Sequence, residues 1–330
     1  MKTSEFILSS TLAILCAASV GAGPLFPIAM GGKWGFADKT GKLVVNPQFE
    51  RAEDFSGRLA AVRLGKWGYA DSTGTLVVNP QFDSAGPFRE NLAEVTVGGR
   101  SGYIGADGKY VINPQFDDAG PFSEGHAAVA LNHHWGFIDQ TGKMVINPQF
   151  DEATQFSGGL AAVKLGKLFG YVDPNGKFVI NAQFEAASAF SEGLAAVRLA
   201  GRWGFIDKTG KMVVNPQFDD AGFFVKGLAA AKLGKAWGYV DAQGKFAINP
   251  QFDEAGPYAG GMARVKSGGH WGYVDTQGKF VINPQFDEAM DFNNGLARVG
   301  LGSSFTGFFT GGRKIGYINT DGKYVWNPNK

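Results

Sequence analysis

The sequence predicts an all-β protein built from tandem repeats, and three observations carry the prediction. A phrase of the form Trp-Gly-aromatic-aliphatic-Asp, or its remnant, begins at Trp34, Trp67, Ser101, Trp135, Phe169, Trp203, Trp237, Trp271 and Ile315, a period of about 34 residues. Glycine is abundant, at 49 of 330 residues, and one glycine recurs at the same place in every copy. Most copies carry Asn-Pro and none has apolar residues at helical spacing, so the period does not signify a helical tetratricopeptide array. With 44% hydrophobic and 18% charged residues, the chain is also too apolar to be disordered.

Each element follows from the unit HHWGFIDQTGKMVINPQF, His133 to Phe150. In a first strand, Trp135, Phe137 and Asp139 point to one face and Gly136 and Ile138 to the other. Asp139-Gln140-Thr141-Gly142 then reads as a turn, with the Asp side chain capping it and Gly142 supplying positive φ. A second strand runs from Lys143 to Asn147 and is expected to stop at Pro148, which cannot donate to a ladder; Asn147 has a counterpart in each unit. A third strand, Leu160 to Leu165, turns Ala161, Val163 and Leu165 inward. Glu94, Arg264 and Arg298 at the Ala162 position of other units imply an outward face there. The connector supplies Phe150 and Phe156 as plugs between neighbours. The unit is thus a three-stranded antiparallel meander that completes its core by stacking.

A parallel β-helix would set the lysines after the turn glycines (Lys42, Lys109, Lys143 and their counterparts) about 4.8 Å apart in a like-charge ladder, well inside the Debye length. That leaves an open β-sheet repeat array or a closed β-propeller of about eight blades. Nine Trp-Gly hairpins but eight Leu-Ala-Ala-Val strands favour the open array, because a ring closed through its ends should balance its strands, and 34 residues are few for a four-stranded blade.

The organisation expected is a secretory signal peptide over 1–22 and a repeat domain over 23–330, with nine hairpin units, the last truncated, and an insertion over 300–314. The signal rests on Lys2, the apolar run from Phe6 to Val20, and small residues before Gly23; that run is short for a membrane span, and no second candidate follows. Cys16, the only cysteine, lies within it, so the mature chain has no thiol for disulfides, zinc or nucleophilic catalysis. Leu15 before it argues against lipidation. A net charge of +1 gives no field for attracting DNA, RNA or acidic lipid.

The recurring WGFIDKTGKMVVNPQFDDAGFFVKGLAA, Trp203 to Ala230, resembles the bacterial WG-repeat, or KWG-repeat, family, over about Lys33 to Pro328. The resemblance implies a β-rich tandem-repeat protein, common in bacterial envelopes or attached to other domains, without assigned catalytic chemistry. Trp is lost at Ser101, Phe169 and Ile315, and the turn Asp becomes Gly105 and Asn319, so neither is a ligand in each copy.

No constellation stands out as catalytic, cofactor-binding or metal-binding. The acid pairs Asp117-Asp118, Asp151-Glu152 and Asp253-Glu254 lack calcium-loop spacing. His133 and His134 are adjacent and face opposite sides of a strand. Trp34, Trp67, Trp135, Trp203, Trp237 and Trp271 read as core filling rather than a sugar-stacking row. The break in regularity is GLGSSFTGFFTGGRK, Gly300 to Lys314, whose Phe305, Phe308 and Phe309 form the candidate partner surface. The expectation is an exported, non-enzymatic binding or scaffolding module for a protein or glycan of the cell envelope, in the periplasm, at the cell surface or outside, with no cofactor, nucleic acid partner or transmembrane span in the mature chain. Its rivals are a cell-wall glycan-acting enzyme and a structural spacer.

Overall fold

The computed structural model describes residues 23–301 and 314–327. Thirty-five strands and no helix occur among them. They form nine sheets, each a blade, eight of four strands and one of three. In blade 5 the order is strand A (Glu152–Ala153), B (Ala161–Leu165), C (Leu168–Val172) and D (Phe178–Phe184), all antiparallel. The unit is therefore larger than a three-stranded meander, because the connector contributes a short strand A. The chain is a nine-blade β-propeller, the closed alternative to the open array that the strand count favoured, with nine blades rather than about eight.

The strand count failed because one strand is disguised. Leu25–Met30, read LFPIAM, pairs with Lys33–Asp38 from Leu25↔Asp38 to Met30↔Lys33. Leu194–Leu199, read LAAVRL, pairs with Arg202–Asp207 in the same register. Leu25–Met30 is thus the strand B of blade 1, and every blade has one.

Strand D does not stop at its proline. In blade 4 it runs Met144–Phe150, and its register with strand C jumps from Phe137↔Ile146 to Trp135↔Phe150. Gly136 therefore faces the bulged Asn147-Pro148-Gln149, where the proline needs no ladder partner. A Cβ on Gly136 would lie 2.4 Å from the Ile146 carbonyl oxygen and 2.7 Å from the Pro148 nitrogen. The Trp-Gly and Asn-Pro signatures are two sides of one bulge. At the hairpin, Gly142 adopts φ +85° and donates to the Asp139 carbonyl at 2.9 Å. One Asp139 carboxylate oxygen accepts from the Thr141 amide (2.9 Å), its hydroxyl (2.6 Å) and the Lys143 amide (3.1 Å). The Thr141 hydroxyl bond, first among these contacts, holds the Asp139 carboxyl below its usual range.

Both faces of a blade are buried. Phe137 and Ile138, neighbours on strand C, are each 0% exposed and belong to different clusters. One cluster joins Phe137, Ile146 and Phe150 of blade 4 to Phe156, Val163 and Val172 of blade 5. Nine such clusters run around the molecule, and the ninth joins Phe26, Ile28 and Ala37 of blade 1 to Leu296 and Tyr317 of blade 9. The outward face expected at the Ala162 position is accordingly corrected: Ala162 is 0% exposed, inside a blade interface. Glu94, Arg264 and Arg298 stand half-buried there, each beside a polar group: Glu94 accepts from Ser101 of its own blade, Arg264 meets Asp291 of blade 9, and Arg298 lies by Glu53 of blade 2.

Candidate functional site

Interfaces between successive blades share one construction from blade 1 to blade 9. An aromatic ring on strand C meets the connector aromatic of the next blade: Phe137–Phe156 at 4.7 Å, Tyr171–Phe190 at 4.9 Å, Tyr273–Phe292 at 4.8 Å between centroids. Where the strand C ring is tyrosine, its hydroxyl donates to a connector carbonyl, as Tyr171 does to Ser188 (2.8 Å) and Tyr273 to Met290 (2.8 Å). Connectors also join one another: the hydroxyls of Ser123, Ser157 and Ser191 donate to the carbonyls of Phe156, Phe190 and Phe224, at 2.8, 2.6 and 2.6 Å. Glu124 adds bonds from the amides of Gly158 and Gly159. Equivalent points of a ring are nearest together close to its axis, so these links place the connectors on the inner side.

The seam between blades 9 and 1 departs from this pattern. Blade 1 has no strand A among the described residues, and strand B takes over its work. Phe26 meets the Tyr317 ring at 5.5 Å, and the Tyr317 hydroxyl donates to the Pro27 carbonyl at 2.9 Å. Pro27 occupies the position of Ala162, whose amide elsewhere bonds the connector (Ala162 to the Thr154 hydroxyl, 3.0 Å). Proline has no such donor, so the position that would need a connector partner needs none.

The space left beside this arrangement is a trough of three adjoining hollows, of about 220, 240 and 700 Å³, which share Asp54 and Asn293. The largest is lined by the connectors of blades 9, 2 and 3, with Phe55, Trp67 and Phe88 as its rings and Asn293 and Asn294 as its amides. That blades 9 and 3 meet in one hollow confirms the inner position of the connectors. In the smallest, the Arg264 guanidinium lies 2.8 Å from Asp291, donates to the Ala289 carbonyl (2.9 Å) and stacks 5.2 Å over Trp271. Arg298 lies beside Glu53 and Tyr317. Burial raises the carboxyls of Glu53 and Asp291 above their usual range, each opposed by its arginine.

A second departure sits in blade 3, where Ser101 replaces the Trp and is 3% exposed. Its hydroxyl donates to Glu94 at 3.3 Å and lies 3.2 Å from that of Thr96, which accepts from Ser84 at 2.8 Å. Burial, reinforced by the charge of Asp118 in blade 4, pushes the Glu94 carboxyl up to about 7.

The residues singled out in the sequence fall in different places. Phe305, Phe308 and Phe309 lie outside the described residues. Trp34, Trp67, Trp135, Trp203, Trp237 and Trp271 are half-buried at the margins of the clusters, and two carry a cation: Lys232 lies over Trp237 at 5.9 Å and Lys266 over Trp271 at 5.7 Å. Gly142 lies at a hairpin against the preceding blade, and Asn147 is exposed on the bulge. Of these, Trp67 alone lines the large hollow. Asp54, Arg264, Asn293 and Arg298 were not read as a site; the signal available was that Arg264, Arg298 and the pair Asn293-Asn294 depart from the repeat in the last two units.

The fold is that of a repeat β-propeller, an architecture consistent with a binding or scaffolding module. The chain belongs to the family of the WG containing repeat, with matches at residues 34–66, 67–100, 102–132, 135–168, 169–203, 203–235, 237–269 and 271–303. No curated protein matches it. Among solved structures it is similar to one described as the eukaryotic initiation factor, at 11% identity and TM-score 0.66 over 92% of this chain and 95% of that one. It is also similar to the dihydro-heme d1 dehydrogenase NirN, at 13% identity and TM-score 0.48 over 79% and 74%. At such identities the first likeness speaks for the fold alone. No helix among the described residues is long and apolar enough to cross a membrane.

Proposed function

We propose that this chain is an exported, non-enzymatic binding module that takes a protein or glycan partner of the cell envelope at the seam of its ring. The observation that carries the reading is the trough: a nearly regular frame holds, at the place where its repetition fails, a cavity lined by the connectors of three blades. Its volume falls within the range of about 300–1,000 Å³ common for ligand sites. The connectors are held by the blade packing beneath them, and repetition around the rim adds weak equivalent contacts. Export is supported by the basic start, apolar run and small residues of positions 1–22.

The test is expression of the full-length chain with its own leader, followed by fractionation and capture. The protein is expected outside the cytoplasm, and the exported form is expected to retain an envelope protein or glycan fraction above the level of an unrelated propeller. Cytoplasmic retention would contradict export, and no retention of either fraction would contradict the binding role.

A further inference from the structure

We propose that the ligand of the seam trough is a short neutral saccharide, an inference that rests on the reading of the chain as a binding module. The first argument is charge. Glu53, Asp54 and Asp291 are set against Arg89, Arg264 and Arg298 around the trough. The balance selects neither an anion nor a cation, and Arg264 is already committed to Asp291 and the Ala289 carbonyl. A phosphate or carboxylate ligand would compete with three carboxylates for these guanidiniums.

The second argument is the mixture of surfaces. The face of a sugar ring is apolar C–H and its rim is hydroxyl, so it fits a cavity that offers an aromatic ring beside planar donors and acceptors. Trp67 and Phe88 supply rings, while Asn293 and Asn294 can each donate and accept, and Glu53 and Asp54 accept. Asp54 and Asn293 are exposed and so free to meet a ligand's hydroxyls. The site is one place rather than a row, because among the described residues blade 1 alone lacks a strand A, and the hollow that Asp54 and Asn293 share lies beside it.

The third argument disfavours a peptide bound as an added strand. Such binding needs a sheet edge with free donors and acceptors. At the edge of strand B facing the trough, Pro27 lacks its N–H and its carbonyl is taken by Tyr317. Recognition must therefore come from side chains, which suits a polyhydroxylated ring better than an extended backbone.

Titration calorimetry on the exported chain tests the inference, with neutral trimers of N-acetylglucosamine, glucose and mannose, cationic glucosamine trimer, anionic galacturonate trimer and a lysine-rich hexapeptide as probes. At least one neutral trimer is expected to bind saturably and more tightly than either charged trimer or the peptide. Asp54→Ala combined with Asn293→Ala, both at exposed positions, is expected to weaken it at least tenfold, and Trp67→Ala to abolish it while Trp67→Phe keeps part of it. Should Trp67→Ala not fold, the double variant decides. Absence of heat with all three neutral trimers, equal binding in the double variant, or preference for a charged trimer or the peptide would each overturn the proposal. If the double variant loses the sugar but still captures an envelope protein, the binding-module reading stands on other ground; if a neutral sugar never binds yet capture persists, the saccharide inference alone fails.

Discussion

The interface between blades 5 and 6 and the seam between blades 9 and 1 solve the same packing problem with different parts. In the first, nine buried residues form the cluster, Phe190 of the connector meets Tyr171 at 4.9 Å, and Tyr171 bonds the Ser188 carbonyl. In the second, five buried residues suffice, and Phe26 and Pro27 of strand B stand in for a connector. Among the described residues the ring closes by packing between a three-stranded and a four-stranded blade, with no strand shared between them. What the seam gives up in apolar burial it returns as a polar trough. Function, on this account, is placed where the frame is least regular and least tightly packed.

The sharpest way to break the comparison is to empty each interface in turn. Phe190→Ala should cost about 3–5 kcal/mol, since the ring is 2% exposed within a dense cluster. Phe26→Ala should cost less, because fewer buried neighbours surround it; urea unfolding followed by tryptophan fluorescence measures both. Equal losses would mean that the seam is packed as well as the rest.

A smaller effect concerns the polar substitution inside an ordinary interface. The Glu94 carboxyl has a folded pKa of about 7, raised from 4.5, so folding favours its protonated form. Its destabilisation is absent near pH 4, grows as pH rises from about 4.5 to 7, and is complete above that. Glu94→Gln should therefore be neutral at pH 4 and stabilise at pH 8 by roughly 1–2 kcal/mol after allowance for solvent screening of a half-buried group. A gain independent of pH in thermal unfolding would assign the effect to packing instead.

Tyr317→Phe should cost about 0.5–1.5 kcal/mol, close to Tyr171→Phe, but with a different spatial signature. Hydrogen exchange should quicken in Leu25–Met30 and Lys314–Asn319 for the seam variant and stay local to blades 5 and 6 for the other. Smallest of all is Asp139→Asn. Because the Asp139 carboxyl is held below its usual range, the stability it confers is present above about pH 4 and is lost as pH falls through its lowered folded value. Asparagine already serves that turn at Asn319, which accepts from the Asp321 and Lys323 amides at 3.1 and 2.9 Å. The variant should match the parent at pH 7 and lose a fraction of its acid sensitivity in a pH titration of stability.

Much of the frame was legible in the sequence because it is local. The turn at Asp139-Gln140-Thr141-Gly142 follows from cap and glycine chemistry, and the alternation of strand C from its period of two. What repetition hides is different in kind. LFPIAM shares one letter with LAAVRL in six positions, so Leu25–Met30 was visible only through its distance from Gly32-Lys33-Trp34, which matches that of Leu194–Leu199 from Gly201-Arg202-Trp203. Missing it removed a strand from the count and tipped the balance toward an open array. The bulge escaped because Pro148 looks like a strand stop until Gly136 is seen to make room for it. The trough was hidden for a further reason: Asp54 and Asn293 are 239 positions apart in sequence, and only closure of the ring brings them together.

Closure is the central claim, and a distance across the seam tests it most directly. With Cys16 replaced by serine, spin labels on Lys39 and Thr320, exposed hairpin positions of blades 1 and 9, are compared by pulsed electron resonance with labels on Ala106 and Gln140, the equivalent positions of blades 3 and 4. A closed ring predicts similar, narrow distances for the two pairs. A seam distance that is several times longer, or spread broadly while the other pair stays narrow, would contradict it.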